Sequence, residues 1–429
     1  MRLLAPIHHP VSRLQLVLLG LVVATLLWTC AVLARTPAAI ASIGLGVLWL
    51  FRFEWSTSSP VRLHSGALHQ AKAYFARLDY SLLGVLPIAY GLSLLWAGDP
   101  SFTLKHIRIT LTLLSVSGAL FVYRNHIAHY RQWAWWTLVA FASVGALGCI
   151  VYFYANETAL IHLLGTGSAV PTPRAHVRTA TLFAFAGLAA THLLAQRNPG
   201  FGLRVLAGLA LLLNVLAIHV IAVRTGVVLL YLGISLYAVR WVINRLRSRQ
   251  AVAAVLVLIA CALLAATQLP SVQRKWAYTK YDFEQRHSPE ALRYSDASRV
   301  ISLEAAFTII QDDALLGAHE RGLREEMRAA YAKTGFAEAY LLPTNQYLFS
   351  WALCGVLGLL AVLAFFIAPM LETGWWRRPL LLEYLVLIAL LCLVETPFAN
   401  DVGVALSVLV VCFAKAGPVP NSTNRPRDA

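Results

Sequence analysis

Charge is scarce in this chain. Only 13% of its 429 residues are Asp, Glu, Lys or Arg, and 59% are hydrophobic; soluble proteins carry about 25% and about 45–50%. Mean hydropathy is +0.66. That deficit excludes a soluble enzyme, a nucleic-acid-binding domain and a disordered chain. Acid is scarcer than base, 20 Asp+Glu against 35 Lys+Arg, for a formal charge of +15. In a soluble protein the excess would suggest nucleic acid; here it is topology signal, and no nucleic-acid partner is expected. The six cysteines offer no metal or disulfide frame. Cys30, Cys149, Cys261, Cys354, Cys392 and Cys412 all lie in apolar runs, without CxxC spacing, and read as small hydrophobes. No internal repeat is visible, which weakens a transporter built from inverted halves.

Long apolar runs are abundant. A spanning helix needs about 20 largely apolar residues, and twelve spans are expected: 14–34, 37–51, 80–97, 109–123, 133–154, 179–195, 204–223, 225–242, 251–268, 346–369, 379–395 and 400–415. The predicted fold is an all-α integral membrane protein. Residues 1–268 carry spans one to nine, 269–345 form a long polar loop, 346–415 carry the last three spans and 416–429 form a tail. The first span could pass for a signal peptide, but no convincing cleavage site follows it, so it reads as a retained helix.

Lys and Arg give the orientation. With the N-terminus cytoplasmic, inside segments hold 19 of them and short outer loops six, while ten sit in the long loop; a loop that long escapes the positive-inside rule. Trp133, Trp135 and Trp136 open the fifth span and Tyr152, Phe153 and Tyr154 close it, as interfacial belts do.

The long loop reads as a folded unit. Val300, Leu303, Phe307 and Ile310 recur at helical spacing as one apolar stripe. Asp296 is the expected N-cap, with Arg299 in the first turn. A second helix is expected over 321–333, closed by Gly335. An arginine at a helix start opposes the helix dipole unless an anion shares the site; the bland alternative is a surface pair with Asp296 or Glu304.

Three more arginines stand out. Arg224 interrupts a stretch from Val205 to Trp241 otherwise broken mainly by Asn214 and His219. A charge there is costly unless it faces a cavity or a partner, although a snorkelling end residue would also fit. Arg174 and Arg178 flank the start of the sixth span; Arg174 reads more as an interfacial anchor, while Arg178 lies deeper. Histidines such as His162, His176, His219 and His319 match no metal-ligand spacing, so no metal and no cofactor are expected. The first outer loop, about Ala34 to Pro37, has no acid, unlike sugar transferases that place a carboxylate there. Asp312-Asp313 and Glu325-Glu326 read as solvated faces.

Four stretches then resemble one family, the O-antigen ligase and polymerase superfamily of bacterial inner-membrane glycosyltransferases. They are AVRTGVVLL around Arg224, SDASRVISLEAAFTII around Arg299, DDALLGAHERG, and TNQYLFSWALCGVLGLL, where Asn345 and Gly355 keep the spacing of a histidine–asparagine motif with a later glycine. The resemblance covers about residues 170–370. It implies a GT-C-like bundle with a periplasmic loop, and transfer of a glycan from undecaprenyl pyrophosphate to lipid A–core, without metal and with inversion. Polymerisation, or transfer to protein, is the alternative within the superfamily; a lipid-linked sugar or anion transporter is the alternative outside it. The site residues so implied are Arg224 and Arg299 on the pyrophosphate, with Arg178, Arg174, Thr344 and Asn345 holding pyrophosphate or acceptor. The ligase histidine falls at Thr344, which cannot serve as a base near pH 7. His319 is the nearest substitute in sequence.

Overall fold

Apolar segments without water must close their backbone hydrogen bonds internally, and helices do so. The computed structural model describes residues 17–25, 40–41, 43–47, 51–53, 61–63, 67–158, 160, 172, 176–196, 200–221, 223–246, 280–285, 288, 291–333, 336 and 340–416. The expected span 251–268, Gly335, Arg174, Cys30 and Cys261 fall outside them. After a small ribbon, β1 (Phe51–Phe53) antiparallel to β2 (Val61–Leu63), the chain is helical. The ribbon is a departure from an all-α chain, and it starts at the last residue of the second expected span.

Residues 17–25, 40–41 and 43–47 are also helical, and the helices after the ribbon are α1 (Ala67–Ala76), α2 (Leu78–Ser81), α3 (Leu86–Ser93), α4 (Pro100–Val122), α5 (Arg124–Ala155), α6 (His176–Leu194), α7 (Phe201–Val220) and α8 (Arg224–Leu246). In the long loop lie α9 (Ser295–Asp312) and α10 (Leu323–Lys333), followed by α11 (Gln346–Cys354), α12 (Val356–Met370), α13 (Pro379–Val394) and α14 (Asp401–Lys415). Five stretches, in α4 to α8, are long and apolar enough to cross a membrane; Val356–Met370 and Leu380–Val394 are shorter apolar helices. The architecture is that of a helical membrane protein.

Helix α6 is the core. Its TATLFAFAGLAA run is buried throughout, because small residues let α5, α7 and α8 close around it. Polar side chains inside the bundle are tied between helices: Asn214 donates to Ser143 Oγ at 3.0 Å, and the Tyr384 hydroxyl to the Phe185 carbonyl at 2.9 Å. Cys354, Cys392 and Cys412 are buried free thiols.

Three expected spans are redrawn. The run 80–97 is not one helix but α2, a 3-10 turn over Leu82–Gly84, and α3. Pro87 starts α3 and cannot donate back to Leu83. The run 109–123 begins nine residues earlier, at Pro100, because Asp99 caps it by accepting from Phe102 N at 3.0 Å. The run 346–369 breaks at Gly355, whose φ of 69° only glycine adopts easily. Its first piece, α11, has nine residues, about 13 Å, too short to span.

The long-loop helices pack at one end of the bundle, here the loop end: Arg324 of α10 pairs with Asp99 before α4, and α9 lies along α11. The stripe expected on α9 is only partly buried: Ile310 is in the core and Leu303 packs against it, while the buried face is shifted from Val300 and Phe307. Ala297, Ile301, Ala305 and Ile309 face inward and Phe307 is 49% exposed, since the smaller side chains permit close approach to α11. Helix α10 starts at Leu323, two residues later than expected.

At the far end Lys415, closing α14, is buried against Asp79 at 2.6 Å and Glu372 at 2.9 Å, with its ammonium 4.2 Å from the Tyr80 ring centre. Arg77 holds the other side of Asp79 at 2.8 Å. Burial would raise the Asp79 pKa, but the Arg77 and Lys415 charges together bring it below the usual carboxylate range.

Candidate functional site

The three described candidate arginines sit near the starts of three helices. Arg178 is in the first turn of α6, Arg224 opens α8, and Arg299 is the fifth residue of α9. Helices α6 and α8 start side by side because of Gly226: a Cβ there would stand 2.5 Å from the Ala180 Cβ, so the two backbones meet where no side chain intervenes. This puts Arg178 and Arg224 at one level.

Arg224 grips the Asp296 carboxylate with both terminal nitrogens, at 2.7 and 3.1 Å, the fork geometry only arginine offers. Asp296 is therefore not the cap of α9. Tyr294 occupies that position, and its side chain does not cap the helix. The buried Asp282 carboxylate accepts instead from the Asp296 and Ala297 amides, each at 3.1 Å. With the helix start served from a distance, Asp296 reaches across to α8.

Arg299 pairs with Glu395 at 2.9 Å rather than with Asp296 or Glu304. Glu395 stands one residue beyond α13. Burial raises its pKa, against the charges of Arg299 and then Arg178, which lie within electrostatic reach. Asn345 caps α11, its Oδ1 accepting from Leu348 N at 3.0 Å, and its Nδ2 donates to the Leu393 carbonyl at 3.1 Å. Thr344, half-buried, is next to it.

The starts of α6, α8, α9 and α11 thus converge on the end of α13. Each helix start carries roughly half a positive charge, to which three guanidiniums are added. The Arg224 and Asp296 side chains are 40% and 21% exposed, and those of Arg299 and Glu395 28% and 26%. Neither guanidinium is fully enclosed by its pair, so an incoming anion can reach both. Chemically, the guanidiniums and helix starts can hold an oxyanion such as a phosphate, and Glu395 offers a carboxylate able to take a proton.

His319 is not part of this arrangement. Its Nδ1 lies 3.1 Å from the Gly317 carbonyl and 3.3 Å from Asp313, past the far tip of α9, about 20 Å along the helix from Arg299. It packs beside Gly98, where an added Cβ would come 2.6 Å from the His319 carbonyl. Asp313 is no solvated face either: it also accepts from the Leu315 and Leu316 amides, both at 2.9 Å.

Sequence reasoning missed Asp282 and Glu395 and gave Asp296 the wrong partner. The available signal was Glu395 itself, an acid closing an apolar run before Thr396-Pro397. No three His, Cys, Asp or Glu side chains cluster as metal ligands among the described residues. In comparisons with known proteins, the chain matches no family model and no curated relative.

Proposed function

We propose that this protein is a glycosyltransferase of the bacterial inner membrane, of the O-antigen ligase type, that moves a glycan from undecaprenyl pyrophosphate to lipid A–core. The observation that supports this most is the convergence of Arg178, Arg224 and Arg299 with four helix starts at the loop end. In this reading that end faces the periplasm, and the lipid carrier enters from the outer leaflet.

The acceptor hydroxyl oxygen attacks the anomeric carbon from the face opposite the pyrophosphate. The carbon–oxygen bond to phosphate breaks with its electron pair on the departing pyrophosphate, and the sugar inverts. Charge grows on the leaving group, where fixed guanidiniums and helix starts oppose it; in other enzymes one such preorganised donor is worth about 10²–10³ in rate. The hydroxyl proton needs an acceptor that Thr344 cannot supply. Glu395 takes that place, and its burial makes it a better base than an ordinary carboxylate. Asn345, anchored to the end of α13, orients the acceptor. The linkage is already activated, so ATP is not consumed.

The test is a deletion strain. Lipopolysaccharide is run on a gel and glycans on the lipid carrier are extracted. Core without O-antigen, with long polymer accumulating on the carrier, is the expected result. Core capped by one repeat would mean a polymerase, and an unchanged gel together with an unchanged carrier pool would refute the reading.

A further inference from the structure

A second group of arginines lies at the far end of the bundle, apart from the loop-end site. Arg131 is in α5, Arg240 in α8, and Arg378 immediately precedes α13. Arg240 donates to the Trp376 carbonyl, two residues before Arg378, and Arg131 lies within electrostatic reach of Arg378. Three guanidiniums from three parts of the chain are thus gathered in one place.

Their hydrogen bonding is unfinished. Arg378 is 8% exposed and one of its terminal nitrogens bonds Glu372, yet its Nε and Nη1 have no partner. The Nε of Arg240 is buried and unpartnered as well. Arg131 makes no hydrogen bond or ion pair with any described residue. Buried polar atoms find partners in more than about 90% of cases, so donors left over together on neighbouring guanidiniums point to a missing acceptor. The protein's own acids do not fill the role. Glu372 is shared with Lys415, and Glu383, an electrostatic neighbour of Arg240, is 1% exposed with neither carboxylate oxygen engaged.

The missing acceptor must be compact, negatively charged and rich in oxygens, which describes a phosphate group. The location agrees. Trp376, 53% exposed, stands beside the cluster, and exposed tryptophans at helix ends mark the depth of lipid headgroups. We propose that Arg131, Arg240 and Arg378 form a phosphate-binding site at the far end of the bundle. Its ligand is the phosphate of a membrane lipid headgroup or a free phosphate at the same depth. The site needs nothing from the glycosyltransferase reading.

Native mass spectrometry of the full chain in detergent is the test, with phosphatidylglycerol, phosphatidylethanolamine, diacylglycerol or inorganic phosphate added in turn. Retention of both phospholipids over diacylglycerol, weakened about tenfold in Arg131→Gln, is expected. Arg131 has no bond to lose among the described residues, so the variant should stay monodisperse. Arg131→Lys, which keeps the charge, should recover most of the binding and separates a lost site from a lost fold. Retention of inorganic phosphate alone, with the same loss in Arg131→Gln, would identify the free ion as the ligand. Equal retention of diacylglycerol with no phosphate adduct, or adducts indifferent to Arg131→Gln, would overturn the proposal.

Discussion

Arg224 and Arg299 were conspicuous in the sequence, the first as a guanidinium inside an apolar run and the second as a cation at a helix start. Their partners were not. Asp296 is 72 residues from Arg224 and Glu395 is 96 from Arg299, and no local pattern spans such separations. The same limit applies to His319, which is nearer than Glu395 to Arg299 in sequence but lies past the far tip of α9. Two outcomes follow. His319→Ala should leave transfer within about twofold of the parent, measured as glycan moved per protein, because it touches neither sugar nor phosphate. Glu395→Gln should cut transfer about a hundredfold. In the parent the rate should fall with acidification through a pKa above the ordinary carboxylate value, since a base works only when deprotonated and burial raises this one. Glu395→Gln should flatten that fall, and a parent rate indifferent to pH would remove Glu395 from the role.

Hydropathy finds apolar runs well and their interruptions poorly. Helices α5 to α8, α13 and α14 follow the expected spans to within a few residues, except that α5 starts well upstream. Helix α4 was foreshortened because Lys105, His106 and Arg108 lower the average, although Asp99-Pro100 announces the helix start. The break at Gly355 is invisible to any average, for it depends on one backbone angle and one contact. A Cβ at Gly355 would lie 1.8 Å from the Leu315 carbonyl oxygen, which accepts from the Val356 amide at 3.2 Å. Gly355→Ala must therefore both leave a left-handed conformation and push the loop away. A loss of about 3 kcal/mol or more is expected, read as a lower melting temperature in detergent. A variant as stable as the parent would mean that α11 and α12 do not depend on this break. The β1–β2 ribbon escaped notice because three-residue strands carry too few residues for an alternating pattern.

Across the whole molecule, the bundle has two chemically distinct ends. The structure gathers different polar chemistry at each: a partly exposed arginine site at the loop end, and a buried ion network around Lys415 at the far end. Lys415, 2% exposed, is ringed by Asp79, Glu372 and Tyr80. Lys415→Met would remove the ammonium shared by two carboxylates, leaving Asp79 with Arg77 and Glu372 with Arg378, and a loss of about 1–3 kcal/mol is expected, measured by thermal unfolding. The folded-state pKa of Asp79 is depressed, so its contribution is present above about pH 4 and is lost as pH falls through the lower folded value. Asp79→Asn should remove that acid sensitivity; a parent whose melting temperature is flat down to pH 3 would contradict it.

The most direct test of the central claim uses purified protein with a synthetic glycan on undecaprenyl pyrophosphate and lipid A–core as acceptor, following free undecaprenyl pyrophosphate over time. The account predicts release without ATP by the parent, and at least about a hundredfold less by Arg224→Ala and Arg299→Ala that insert and melt normally. No release by the parent, or equal release by both variants, would contradict it.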